Sequence, residues 1–515
     1  MKSRSLFAAL ALAAATAFAT GCGDDSSGSR VAELAPPGTP IFAEAALRPS
    51  GELKTNTDAV AEQIAGVGNL GEFIVSELES SARDDGEAVD FETEVEPWLG
   101  EHGGVFWDSG ETDESNLIVE TTDSGATQEF IDNQVEQSKD PYESKSYEGV
   151  DYVFGGDDQS AVGVVGDFLL TTEGERRFKQ AVDAEQSGES LAGEDSFAET
   201  ISAASEGSLV DVYVDIGELI DQSGGQIDPQ ARQVLRNAGI DPSEATAVAS
   251  IVPGSDQLTV EFSSDLAGQE VPTGDASELL GSLPGNAFAG FAVSGFGNQV
   301  REAVDSLDEE GIPDAVPPGQ LKKGLKELGI DLEALTGSLQ DAGAFAIGNS
   351  ESSLGGALVL TTEGSRAVDT ISNIGMLLRQ VNVAGVTALS GKNSGFSVRS
   401  DDLGDKPLVV AAREGRIAIG YGLAPTLAGL ATESGQGKTL SDNPAYDDAV
   451  AALGDTPIGG FASGPAALRL ADSLIPNSDS DFTEAKKYLN SIRFLALGSA
   501  SQEDLATAKL IVGLK

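Results

Sequence analysis

The sequence predicts an α+β protein made of two tandem repeats, each a mainly antiparallel sheet with helices packed on one face. Three observations lead there. The stretch Pro37-Gly-Thr-Pro-Ile-Phe-Ala-Glu-Ala-Ala-Leu47 returns as Pro284-Gly-Asn-Ala-Phe-Ala-Gly-Phe-Ala-Val293, and each copy opens a similar half of the chain. Apolar positions and turns then recur at a near-constant offset. Val105, Leu117, Thr121 and Thr122 fall on Phe345, Ala357, Thr361 and Thr362 at 240. At 249, Gly166, Phe168, Phe197, Leu209 and Val212 fall on Gly415, Ile417, Tyr446, Ile458 and Phe461, and at 250 Val260 and Phe262 fall on Leu510 and Val512. Finally, short strands are joined mostly by hairpins and interrupted by single helices, which favours antiparallel pairing.

In chain order, Pro37 to Pro40 reads as a turn and Ile41 to Leu47 as a strand stopped by Pro49. A helical spacing of apolar residues follows through Val60, Ile64, Leu70, Phe73, Ile74 and Leu78. Strands are expected at Gly104 to Trp107 and Leu117 to Thr122, split by the acidic loop Asp108 to Ser115, with a helix from Ser124 to Val135. A meander of Tyr147 to Phe154, Ala161 to Val165 and Phe168 to Thr172 leads into a helix over Glu173 to Val182. Phe197 to Ala204 is helical and Ser208 to Asp215 a strand. Ala247 to Ile251 and Gln257 to Phe262 close as a hairpin around Pro253-Gly-Ser-Asp256. Thr122 before Asp123, Thr172 before Glu173 and Thr362 before Glu363 suggest a hydroxyl that ends a strand and caps the next helix.

The domain organisation that results is a signal peptide over 1–21, a polar tether over 22–30, a first repeat over 31–268, a linker over 269–278 and a second repeat over 279–515. Lys2 and Arg4, the 13-residue apolar run Leu6 to Phe18 and the small residues after it have the layout of a secretory signal, and the run is too short for a bilayer span. Ala19-Thr20-Gly21-Cys22 resembles the lipobox of bacterial lipoproteins, which implies cleavage before Cys22 and acylation of its thiol and amino group. Cys22 is the only cysteine, so it has no intramolecular disulfide partner. The expected location is therefore a membrane, reached through lipidated Cys22, with the body on the extracytoplasmic side.

Charge narrows the partners. Against 84 Asp and Glu stand 31 Lys and Arg, a formal charge of -53, so a nucleic-acid backbone is repelled over most of the surface. Residues 279–515 carry 28 acidic and 18 basic side chains, which leaves 56 and 13 for residues 1–278. The first half thus holds most of the negative charge.

Leu34-Ala-Pro, Thr39-Pro40, Leu47-Arg48-Pro49, Asp90-Phe-Glu and Pro97-Trp-Leu-Gly100 together resemble a family of bacterial exported proteins known only as a domain of unknown function. The resemblance runs through most of the mature chain and implies no activity, cofactor or catalytic residue.

Read on their own chemistry, the residues offer no catalytic constellation. His102 is the single histidine and sits in Glu101-His-Gly-Gly104, expected at a turn; with one His and one Cys no zinc set can form. Glu87, Asp90, Glu92, Glu94 and Glu96 crowd the approach to Trp98, the arrangement a carboxylate-dependent hydrolase of envelope polysaccharide would use, and equally that of a solvated acidic face. Asp108 to Glu114 and Gly155-Gly-Asp-Asp158 are oxygen-rich without the EF-hand spacing, which leaves at most weak calcium binding. Gly420-Tyr-Gly422 before Pro425 reads as a strand-to-helix turn, and Trp98, Trp107, Phe288 and Phe291 as core. The expectation is a non-enzymatic binding or scaffolding protein without a cofactor.

Overall fold

The computed structural model of the protein describes residues 29–69, 90–107, 116–138, 141–156, 159–222, 245–265, 274–311, 317–327, 336–363, 366–380, 383–389, 394–400, 405–413, 415–431, 437–476, 479–502 and 505–515, together with Gly71, Val75, Glu333 and Leu403. The chain is α+β, with helices around extensive antiparallel sheet, and it divides into two compact units, residues 1–271 with 501–508 and residues 272–500 with 509–515.

In the first unit the strands are β1 Ile41–Ala46, β2 Leu99–Trp107, β3 Asn116–Thr121, β4 Tyr142–Tyr147, β5 Val150–Gly155, β6 Ser160–Val165, β7 Phe168–Glu173, β8 Val210–Asp215, β9 Thr246–Pro253 and β10 Gln257–Asp265. They lie in the order β4-β5-β6-β7-β3-β2-β1-β8-β9-β10, antiparallel at every step. In the second unit the strands are β11 Ala287–Val293, β12 Leu339–Ile347, β13 Gly355–Thr362, β14 Val386–Ala388, β15 Ser394–Val398, β16 Leu408–Arg413, β17 Arg416–Tyr421, β18 Ile458–Ser463, β19 Ile492–Gln502 and β20 Leu505–Leu514. Their order is β14-β15-β16-β17-β13-β12-β11-β18-β19-β20.

Helices flank each sheet on both faces, not on one as expected. The reason is alternation along the strands, which here buries both sets of side chains. In the first unit Phe106, Ile118 and Leu170 join Phe178 of the helix Glu175–Ser187 and Phe197 of the helix Asp195–Ile201 in one core. Their neighbours Val105, Leu117 and Leu169 join Trp98 and Phe130, Ile131 of the helix Ser124–Gln137 in another. The second unit divides likewise: Phe345, Val359 and Phe461 pack with Leu279, Leu280 and Tyr446, whereas Ala342, Leu360 and Ile417 pack with Ile371 of the helix Arg366–Gln380.

Three local expectations change. The single strand expected over Tyr147–Phe154 is a hairpin, β4 and β5, because Glu148 and Gly149 both take left-handed backbone (φ 47° and 85°), the requirement of a two-residue turn that matches strand twist. The capping hydroxyls do other work. Asp123, not Thr122, caps the helix Ser124–Gln137 by accepting from Ala126 N (3.0 Å), while Thr122 donates to the Trp98 carbonyl. Gly174 stands at the N-cap of the next helix, and Thr172 donates to its carbonyl. The helix expected through Val60 and Ile64 spans Gly51–Ala65 and stops at Gly66 (φ 72°); Leu70, Phe73, Ile74 and Leu78 lie outside the described residues.

Candidate functional site

The sequence-predicted residues separate on folding. Cys22, Glu87, the loop 108–115, Asp157 and Asp158 lie outside the described residues. Asp90 caps the short helix Phe91–Glu94, and Glu92 and Glu96 are exposed. Trp98 does not stand beside them as a sugar platform: it is 1 % exposed, donates from Nε1 to the Glu94 carbonyl (2.7 Å) and packs on Phe130 with ring centroids 5.4 Å apart. Trp107 is half-buried, whereas Phe291 is 46 % exposed and so is not the core residue expected. Gly420 to Gly422 is the strand-to-helix turn expected, with Thr426 donating to the Gly422 carbonyl (2.8 Å). Among the described residues no group of three or more His, Cys, Asp and Glu side chains is placed to hold a metal ion, and no helix is long and apolar enough to cross a membrane.

His102 is in β2, not at a turn, and it leads to a cluster that sequence reading missed. Alternation puts Glu44 of β1 on the core face of the sheet with Phe42, and antiparallel register sets it directly opposite Asp211 of β8. Asp211 in turn faces Ser250 of β9. Asp211 accepts from both Ser208 Oγ and Ser250 Oγ at 2.5 Å, and Ser250 Oγ accepts from Ser205 N (3.0 Å). On the other side His102 Nδ1 lies 3.6 Å from Glu44 Oε1.

The lead-in to β1 closes over this row. The Ser29 hydroxyl bonds to Glu44 and accepts from Ala32 N (3.0 Å). Arg30 pairs with Glu120 and Asp167, each at 3.1 Å, and Glu120 Oε2 also accepts from the backbone N–H groups of Glu101 (3.0 Å) and His102 (3.1 Å). Val31, Ala32 and Leu34 are fully buried beneath. Gly104 makes room for them, since a Cβ there would stand 2.6 Å from Val31 Cγ1 and 3.0 Å from the Ala43 carbonyl.

Both acids are harder to ionise than ordinary carboxyls. Burial pushes Glu44 up, with the charges of Asp211 and Glu120 acting in the same direction against the Ser29 hydroxyl and His102. Burial also raises Asp211, opposed by its two serine hydroxyls. Two half-buried carboxyls face to face ionise together less readily than either would alone. The one sequence signal for this was Glu44 itself, the only charged residue in Ile-Phe-Ala-Glu-Ala-Ala.

No curated protein matches the chain. Among solved structures, crystal forms I and III of TP0453 align with it at TM-scores of 0.26, at 8 % and 9 % identity, over 48 % of this chain and 82 % and 83 % of those chains. The family model described as "Protein of unknown function (DUF3352)" matches residues 75–514, and the chain belongs to that family.

Proposed function

We propose that the protein is a lipid-anchored, extracytoplasmic protein of the cell envelope that acts by binding or scaffolding. The observation that carries this is Ala19-Thr20-Gly21-Cys22 after a 13-residue apolar run, in a chain with no other cysteine. Two or three acyl chains on Cys22 hold a protein on a bilayer far more firmly than one. The polar stretch 22–30 is the tether that would join this anchor to the body. Cys22→Ala is expected to leave the chain uncleaved or released from membranes and without incorporated palmitate label. A processed Ala variant that resists alkaline carbonate extraction would overturn the anchor.

We further propose that the two units are copies of one fold. Three features support this. The two strand orders correspond position by position, counted from β1 and from β11. Phe197 meets Tyr213 edge to face (5.0 Å, 75°) as Tyr446 meets Phe461 (5.4 Å, 77°). Tyr213 pairs with Phe42, and Phe461 with Gly290, so the structural counterpart of Phe461 is Tyr213 rather than the Val212 reached at offset 249. One residue of slip matters because it exchanges the two faces of a strand. An experimental structure with a different order for β11 to β20 would remove this reading.

A carboxylate-dependent hydrolase is the competing class. It would need an open aromatic beside Glu92, Glu94 and Glu96, and the Trp98 ring is buried. The binding reading expects no turnover of labelled cell-wall glycans; turnover abolished by Glu92→Gln, Glu94→Gln or Glu96→Gln would establish the hydrolase instead.

A further inference from the structure

We propose that Glu44 and Asp211 form a proton-operated latch beneath the N-terminal segment Ser29–Leu34, closed when the pair holds a proton and loosened when it loses it. The geometry is specific. The two carboxyls sit opposite one another on β1 and β8, where directly paired Cβ atoms are about 4.5–5.5 Å apart. Among the described residues the titratable groups that face them are His102 on β2 at 3.6 Å from Glu44, Glu120 on β3, and Arg30 above, which is engaged with Glu120 and Asp167. Asp211 is met from β9 and from the Ser205–Ser208 turn by hydroxyls alone.

With one proton on the pair, a single negative charge is shared among the Ser29, Ser208 and Ser250 hydroxyls, and His102 lies alongside. When the proton leaves, two negative charges face each other in a half-buried site and repel. Asp211 is held by two serine hydroxyls, so the side that yields is the segment that Ser29 joins to Glu44. The segment therefore lifts as pH rises and seats as pH falls. The sign follows from the direction of the shifts: groups whose folded-state pKa is raised stabilise the closed form at low pH and cease to do so as pH climbs through the folded value. In the second unit the residue paired with Gly343, as Glu44 is with Gly104, is Ala292, which carries no carboxyl.

The test is hydrogen exchange by mass spectrometry on the purified chain in detergent micelles between pH 5.5 and 8.5, corrected for the intrinsic exchange rate. Peptides within residues 29–47 are expected to lose protection about tenfold as pH rises, while peptides of β12 and β13 do not. Glu44→Gln and Asp211→Asn are each expected to keep residues 29–47 protected at pH 8.5. A wild-type segment whose protection is independent of pH, or one whose pH response persists in both variants, overturns the latch. Because the readout is local exchange, it is independent of the Cys22→Ala test of the anchor.

Discussion

A carboxyl inside an apolar strand persists only where a proton or a set of donors stays with it, and Glu44 draws on both. Its charge is disfavoured by burial first and by Asp211 and Glu120 next, so it contributes stability below the ordinary carboxylate range that disappears as pH rises through its folded-state value. Glu44→Gln removes that loss while it keeps an oxygen for Ser29. The melting temperature of the variant is therefore expected to exceed wild type at pH 8, by about 2–4 °C for each kcal/mol relieved, and to converge with it near pH 5. A Gln variant less stable than wild type by the same margin at both pH values would mean that the ionised carboxylate is a net stabiliser. The neighbouring row shows how closely the same site is built: Gly104 leaves no room for a Cβ against Val31 and the Ala43 carbonyl.

Among the elements, the helix Glu175–Ser187 and the hairpin β4–β5 are joined by one acid. Glu175 in the first turn accepts from Tyr152 Oη (2.6 Å) and pairs with Lys145 (3.0 Å) and Lys179 (2.8 Å), above the stack of Tyr152 on Phe178 with centroids 4.6 Å apart. The bonds from Lys179, Tyr152 and Lys145, in that order, lower its carboxyl to about 2. A depressed carboxyl stabilises the fold above its unfolded value and stops doing so as pH falls through the folded one. Glu175→Gln is thus expected to lower the melting temperature at pH 7 and to lose that deficit as pH approaches 2. Because the side chain is 29 % exposed, solvent screening keeps the effect modest. Identical deficits at pH 7 and pH 3 would assign the loss to packing rather than to charge.

For the molecule as a whole, the dominant field is the excess of 56 acidic over 13 basic side chains in residues 1–278, against 28 over 18 beyond. Repulsion of that kind is screened over about 10 Å at 0.1 M salt. Raising sodium chloride from 10 to 300 mM is expected to increase exchange protection in β5 to β7 more than in β15 to β17 of the same chain. Millimolar calcium at matched ionic strength is expected to add nothing further, by the linkage of binding to folding. Equal gains in both units would show that the charge excess does not act on local stability.

The sequence by itself determined the class of structure and most strand positions, because a period of two and the turn residues act over a few positions. Strands at Ile41, Leu117, Phe168 and Gln257 begin where, or within a residue of where, their patterns place them. It also contained the family, through short motifs such as Pro97-Trp-Leu-Gly100 that a match over residues 75–514 supports. What it did not contain was which residues meet across strands. The stretch Tyr142 to Phe154 becomes a hairpin because the backbone at Glu148 and Gly149 is left-handed and sets two strands against each other. Helices cover both faces because long-range pairing buries Val105 and Phe106 alike. The Glu44 and Asp211 carboxyls are 167 positions apart in sequence and become partners only through the register of β1 on β8. Proton sharing, charge repulsion and burial all depend on that distance, and distance across a sheet is a tertiary quantity.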